Sequence, residues 1–261
     1  MVGAYRIFAI RYGRHARKSS ANFIGGDEHD IDMPLDYFVW AVCGEGRTIV
    51  VDTGFGAEAA KQRGRILLRP VEEGLKAVGI DTSDVSDVVI THMHYDHAGN
   101  AALFPRARFH LQDAEMAYCT GRCMTHPTLA ATFDSHDVAA MVQRVFERRV
   151  VFHRGDETLL PGLELHLLGG HTKGLQALSV ATARGRVILA SDALHLYANL
   201  EREVPFPIVV QVEEYLEALR TLRRLAPSID HIIPGHDPLV LERFPRHAGY
   251  ADIVRLDLPA L

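Results

Sequence analysis

Four side chains able to hold a metal ion fall within six residues, His92-x-His94-x-Asp96-His97, directly after the apolar run Asp87-Val88-Val89-Ile90. In an extended or turning segment alternate residues point the same way. His92 and His94 can therefore converge on one ion while Asp96 and His97 turn towards a neighbouring one. Imidazole together with carboxylate suits zinc, with iron, manganese and cobalt as competitors of similar geometry. Polar rings at the end of a buried strand are costly without partners, and three further ligand candidates stand at comparable places: His171 after Gly169-Gly170, Asp192 after Ser191, and His236 after Pro234-Gly235. Glycine beside a ligand lets the backbone turn sharply and approach closely. His92, His94 and His171 on one ion leave positions for a hydroxide and a substrate oxygen. Asp96, His97 and His236 can hold a second ion, and Asp192 can bridge the pair.

Around these residues, hydrophobic period and turn punctuation predict strands at 4–10, 37–43, 48–51, 87–90, 150–153, 163–168, 177–181 and 187–190. Helices are predicted at 71–78, 99–104, 113–118, 137–146 and 213–224. The segment Ile232-Ile233-Pro234-Gly235-His236 reads as a loop. There is no strict repeat, low-complexity segment or linker, so residues 1–261 are expected to form one domain. Each half holds several short strands and then a helix, with metal-type residues just after strand ends. That pattern suggests two stacked sheets, helices outside, and a site assembled along one edge from strand-terminal loops.

A formal charge of -5 gives no electrostatic footprint for nucleic acid or an anionic membrane, and no apolar run approaches the roughly 18 to 20 residues that span a bilayer. Three cysteines are odd in number and fit a reducing compartment. The N-terminal stretch, interrupted by Arg6 and Arg11, lacks the form of a signal peptide, so the expected location is cytoplasmic. A small molecule is the expected partner, and a homodimer is left open.

With its motif from His92 to His97 followed by His171, Asp192 and His236, the chain resembles the metallo-β-lactamase superfamily over nearly its whole length. Thr53-Gly54 after Asp52 looks like that family's early Asp-x-Gly turn. The spacing, the bridging aspartate and the strand at 34–40 look most like the N-acyl homoserine lactonase group. This resemblance implies an α/β fold, a four-layer αββα sandwich of two mixed β-sheets with outer helices, with a binuclear site of two Zn2+, or Fe, Mn or Co. It also implies a hydrolase that opens a lactone or related cyclic ester by attack of a metal-bridging hydroxide. Asp96 would orient the hydroxide and pass its proton to the leaving oxygen. In the quorum-quenching lactonases a tyrosine lies three residues after the bridging aspartate. Here that place is His195, with Tyr197 two residues later. His195 is expected to stabilise the oxyanion in its stead, with Tyr197 as second choice, and the natural substrate is left open between an acyl-homoserine lactone and another lactone or ester. A thioesterase resembling glyoxalase II is the nearest rival, although its C-terminal helical region has no counterpart in the residues after His236. An iron-dependent redox relative comes next.

Other residues carry blander expectations. Asp52 either supports a ligand histidine or the Thr91 backbone or simply forms a turn. Cys119, Cys123 and His126 read as apolar packing rather than a second metal set. His110, His136, His153, His166, His231 and His247 read as surface or satisfied core histidines. Arg11, Arg14, Arg17 and Lys18 form a solvated basic loop or attract an anionic substrate group. Phe23 and Ile24 are candidates for a mobile lip, and Trp40 for the core.

Overall fold

The computed structural model describes residues 4–261, and Met1–Gly3, the start of the N-terminal stretch, lie outside the described residues. The strands are β1 Arg6–His15, β2 Leu35–Gly44, β3 Arg47–Val51, β4 Ile66–Leu67, β5 Asp87–Val89, β6 Arg108–Gln112, β7 Val150–His153, β8 Glu157–Leu160, β9 Leu163–Leu167, β10 Gln176–Thr182, β11 Gly185–Ser191, β12 Ile232–Pro234 and β13 Ile253–Arg255. One sheet runs β13-β1-β2-β3-β5-β6-β7 with β4 beside β1, and the other runs β12-β11-β10-β9-β8. Both are mixed. Antiparallel pairing gives way to parallel from β3 to β7, and β11 pairs with β12 in parallel.

The sequence dictates this layering because the central strands are apolar on both faces. Phe38, Trp40 and Val42 of β2 join Ile7, Ala9, Ile49 and Val51 against Leu165, Leu178 and Leu189 of the second sheet, forming the core between the sheets. The alternate residues Tyr37, Val39 and Ala41 face outward beneath Val71 and Leu75. Those two belong to the helix Val71–Ala77. On the far side Ala177, Ile188 and Ala190 are covered by Tyr215, Leu219 and Leu222 of the helix Val212–Leu225. The result is the αββα order implied by the resemblance, with Trp40 fully buried as expected.

Four local expectations change. The first strand runs on to His15 through an irregularity between Arg11 and Gly13, so Arg11 and Arg14 lie on a strand and face Asp36, with closest approaches of 3.0 and 3.7 Å. The helix at 99–104 is replaced by a turn of helix at Tyr95–Ala98 and a 3-10 turn at Ala101–Leu103, because the ligand-bearing segment itself coils as it leaves β5. Ile232–Pro234 is a strand, and short strands β4, β8 and β13 carry too few residues for a period to show. Phe23 is buried beneath the Arg202 guanidinium rather than forming a lip, while Ile24 is exposed. Among the described residues no helix is long and apolar enough to cross a membrane.

Three of the blandly read histidines are satisfied in a buried polar chain or pair. His110 Nε2 donates to Asp87 Oδ1 at 3.0 Å, its Nδ1 lies 3.0 Å from His153 Nε2, and His153 Nδ1 lies 2.9 Å from Glu157 Oε2. His166 sits between Asp156 and Ser179. The His110 hydrogen bond holds the Asp87 carboxyl well below the usual carboxylate range, aided against burial by Ser86 and Arg108. A depressed carboxyl stabilises the fold above its unfolded value near 3.9 and loses that contribution as pH falls through and below it. Asp87→Asn is therefore expected to lower stability by about 1–3 kcal/mol at pH 7, with the gap to wild type closing below about pH 4. Urea unfolding at pH 7 and pH 3 measures both, and a gap independent of pH would contradict the assignment.

Candidate metal centre

Several strands end at one edge of the sandwich, and each strand end delivers a polar side chain there. β5 leads into His92, His94, Asp96 and His97; the β9–β10 loop carries His171; β11 leads into Asp192 and β12 into His236. All seven candidates are gathered. The ligand atoms of His92, His94, His171 and Asp192 lie within 4.8 Å of one another, and so do those of Asp96, His97 and His236. His171 Nε2 stands 3.2 Å from His92 Nε2 and 3.0 Å from His94 Nδ1. Asp192 faces both groups: Oδ2 is 3.2 Å from His171 Nε2, while Oδ1 is 2.9 Å from His236 Nε2 and 3.3 Å from His97 Nε2. These approaches lack the alignment of a hydrogen bond at Asp192 Oδ1 and His97 Nε2, two buried atoms left without any hydrogen-bond partner. Buried polar atoms without partners are rare in native folds, and nitrogen lone pairs crowded at 3 Å repel unless a cation lies among them. The donor set, its burial and its orphaned atoms fit divalent metal ions.

The outer nitrogens are tied down, which aims the inner ones. His171 Nδ1 donates to Ile208 O at 2.7 Å and His236 Nδ1 to Asp36 O at 3.0 Å. His97 Nδ1 donates to Asp52 Oδ2 at 2.7 Å, and the same carboxylate accepts from Thr91 N and Oγ1. Of the two readings of Asp52, it thus fulfils the supporting one, and it holds a left-handed φ of +61° in doing so. Such backbone strain persists where surrounding contacts enforce it. Gly235 has a different reason: a Cβ there would meet Asp192 Oδ1 at 2.7 Å and the Ser191 carbonyl at 2.9 Å.

Electrostatics separates the two groups. Burial and neighbouring rings hold His92 and His94 well below the ordinary imidazole value, and burial takes His171 down to about 3. A neutral imidazole keeps one N–H and offers one lone pair to a ligand. Burial opposes charge on His97 as well, but Asp192, Asp96 and Asp52 outweigh it and raise that ring well above its usual value. Asp192 is held well below the carboxylate range, against burial, by His195, His236 and His97.

The other two sequence candidates part company. His195 joins the centre, with Nε2 3.0 Å from Asp192 Oδ2, its ring stacked on Phe206 at 3.8 Å and its buried Nδ1 without a partner. Tyr197 does not. Its ring packs between the sheets under the Arg243 guanidinium, and its place in the core explains why position 197 read as a plausible neighbour yet contributes nothing to the cavity. The centre opens into a cavity of about 130 Å3 lined by His94, Asp96, His171, Asp192, His195 and His236 together with Tyr37, Tyr95, Phe206, Arg17, Arg63 and Arg65. Sequence reading missed several of these.

It also missed Glu115. Fully buried, this carboxylate accepts from Met93 N at 2.9 Å, Thr172 Oγ1 at 2.6 Å and Gly174 N at 3.1 Å. It thereby ties the His92–His94 segment to the His171 loop. One acidic residue in a short helix carries no sequence signal for this, since its partners are two backbone groups and a hydroxyl 22, 59 and 57 residues away.

The profile of the Metallo-beta-lactamase superfamily matches residues 33–236. An N-acyl homoserine lactonase of Bacillus sp is 29% identical over 221 residues, 78% of this chain and 82% of its own. Among solved structures, an N-acyl homoserine lactone hydrolase with the product N-hexanoyl-L-homoserine at its catalytic metal centre is similar with a TM-score of 0.75 at 22% identity, covering 92% of this chain and 96% of that one. A dizinc quorum-quenching lactonase is similar with a TM-score of 0.71 at 18% identity, covering 91% and 89%.

Proposed function

Because the chain belongs to the metallo-β-lactamase superfamily, we propose that it is a metal-dependent hydrolase that opens a lactone or related cyclic ester. The observation that carries this reading is the pair of ligand groups sharing Asp192 beside a cavity of about 130 Å3. His92, His94 and His171 would hold one ion, Asp96, His97 and His236 another, with Asp192 between them and Zn2+ the expected metal. Ions bound as a pair polarise a carbonyl oxygen and lower the pKa of water towards about 7, so that hydroxide is on hand at neutral pH. The similarity to lactonases, one of them with product at its catalytic metal centre, supports the same substrate class.

The chain's own groups supply the rest. Asp96 lines the cavity with Oδ2 3.6 Å from His97 Nε2 and 3.8 Å from His236 Nε2. From there it orients the attacking water, accepts its proton and returns it to the ring oxygen as the acyl C–O bond breaks. The new acid group ionises at neutral pH, so each turnover releases one proton. Burial holds His195 below the ordinary imidazole value. His195 would direct an N–H to the carbonyl oxygen as negative charge develops there.

Metal analysis of the purified protein followed by pH-stat titration with short-chain, long-chain and aromatic lactones tests the reading. The expected result is about two metal ions per chain and acid release on lactones but not on matched acyclic thioesters. Protein that stays empty on reconstitution, or that prefers thioesters, overturns it. His195→Phe keeps the stack on Phe206 and is expected to lower kcat by roughly 10- to 100-fold with metal content retained. Loss of metal in that variant would make His195 a ligand instead, and unchanged kinetics would remove it from the reaction.

A further inference from the structure

Three guanidinium groups line the cavity beside the metal ligands without a single carboxylate of their own. Arg65 Nε donates to Tyr95 Oη at 3.0 Å, and its Nη1 donates to Arg63 O at 2.6 Å and stands 3.3 Å from His15 Nδ1. Arg63 spends both terminal nitrogens on the carbonyls of Ala131 and Phe133 and lies 3.9 Å over the Tyr95 ring. Arg17 donates from Nε to Asn22 Oδ1 at 2.8 Å and from Nη2 to Ala21 O. Its guanidinium sits 5.1 Å over Phe206, the ring on which His195 is stacked. Among the described residues no acceptor engages Arg65 Nη2 or Arg17 Nη1. The neighbouring basic residues differ: Arg11 and Arg14 are paired with Asp36, and Lys18 with Asp32 at 2.7 Å.

All three arginines are half-buried, so each has given up part of its hydration, and only carbonyl, hydroxyl, amide and ring acceptors replace it. Asp96 adds a more distant counter-charge to Arg65, but among the described residues no carboxylate pairs directly with any of the three, and half-buried charge without a paired carboxylate attracts an anion. Among the described residues the only carboxylates lining the cavity, Asp96 and Asp192, belong to the ligand groups. Burial, with Arg65 and Arg17 adding to it, takes His15 down to about 4. A planar guanidinium with a spare nitrogen presents the donors a carboxylate matches.

Resting on the lactone reading above, we infer that the substrate carries a carboxylate, received by Arg17 and Arg65 at the mouth of the cavity with Arg63 fixing the Tyr95 wall behind them. A cavity of about 130 Å3 admits a small ring with one substituent. An adjoining cleft of about 560 Å3, lined by Arg14, Arg17, Lys18, Asp32 and Ile66, continues the same surface outward through Arg17.

The test uses metal-loaded enzyme and two γ-lactones that differ in one group, 5-oxotetrahydrofuran-2-carboxylate and its primary amide. The carboxylate is expected to have a kcat/KM at least about 10-fold higher, and raised ionic strength is expected to narrow the difference. Arg17→Gln and Arg65→Gln are each expected to raise KM for the carboxylate about 10-fold or more with kcat within roughly 2-fold, and to raise KM for the amide by a clearly smaller factor. Arg65→Lys should recover part of the loss as a point charge. Equal turnover of the two lactones by wild type, or equal losses on both in the variants, would overturn the carboxylate and leave the lactonase reading standing. If neither ring opens in protein that holds its metal, both readings fall together.

Discussion

Asp192→Ala is expected to bind no more than about one metal ion per chain and to lose lactone opening by a factor on the order of 10^3 or greater. The two oxygens of this carboxylate divide between the ligand groups, Oδ2 towards His171 and Oδ1 towards His236 and His97. Alanine removes a ligand from both at once and leaves His97 and His236 facing each other with one counter-charge fewer. Asp192→Asn is the instructive companion, since it keeps an oxygen on one side and puts an amide NH2 on the other, so one ion should survive better than its neighbour. Elemental analysis after dialysis, alongside pH-stat rates, reads both variants. Full metal content with full activity in Asp192→Ala would show that the two groups do not share this residue.

The second large effect belongs to Glu115. Glu115→Ala is expected to cost about 3–5 kcal/mol of stability, because it strands the buried donors Met93 N, Thr172 Oγ1 and Gly174 N in an apolar setting. The same substitution unties the His92–His94 segment from the His171 loop, and metal affinity should fall by roughly 10- to 100-fold, as it does when groups behind a ligand are removed. Glu115→Gln keeps the volume and one accepting oxygen, and should lose less on both counts. Urea unfolding of the metal-loaded protein and competition with a chelator give the two numbers independently. A loss of stability with unaltered affinity would make Glu115 a packing residue, and no loss of either would mean the donors find water.

The clustering of the seven candidate ligands was legible because chemistry concentrates such residues. Four donors in six positions after an apolar strand, and three more beside glycines or strand ends, leave few alternatives. The two-sheet layering was legible for a similar reason, since strands such as Leu35–Gly44 are apolar on both faces. What escaped was whatever depends on distant backbone. Glu115 meets groups that no period or motif announces, and the unpaired state of Arg17, Arg63 and Arg65 becomes visible only once Asp36 has gone to Arg11 and Arg14. Tyr197 shows the opposite error. Proximity in sequence to Asp192 made it a candidate, but the backbone leaves Ser191 in a left-handed conformation and then enters the helix Tyr197–Arg202, carrying the phenol into the core.

The ligands also come from both halves of the sandwich, His92 to His97 from the end of a strand in the first sheet and His171, Asp192 and His236 from the second. Apart from its apolar interior, then, the sandwich has a rivet at one edge, one that cations among the crowded rings and carboxylates would tighten. Metal starvation would do more than silence such a protein. It would loosen the seam between its halves, tying lifetime in the cell to the supply of the ion.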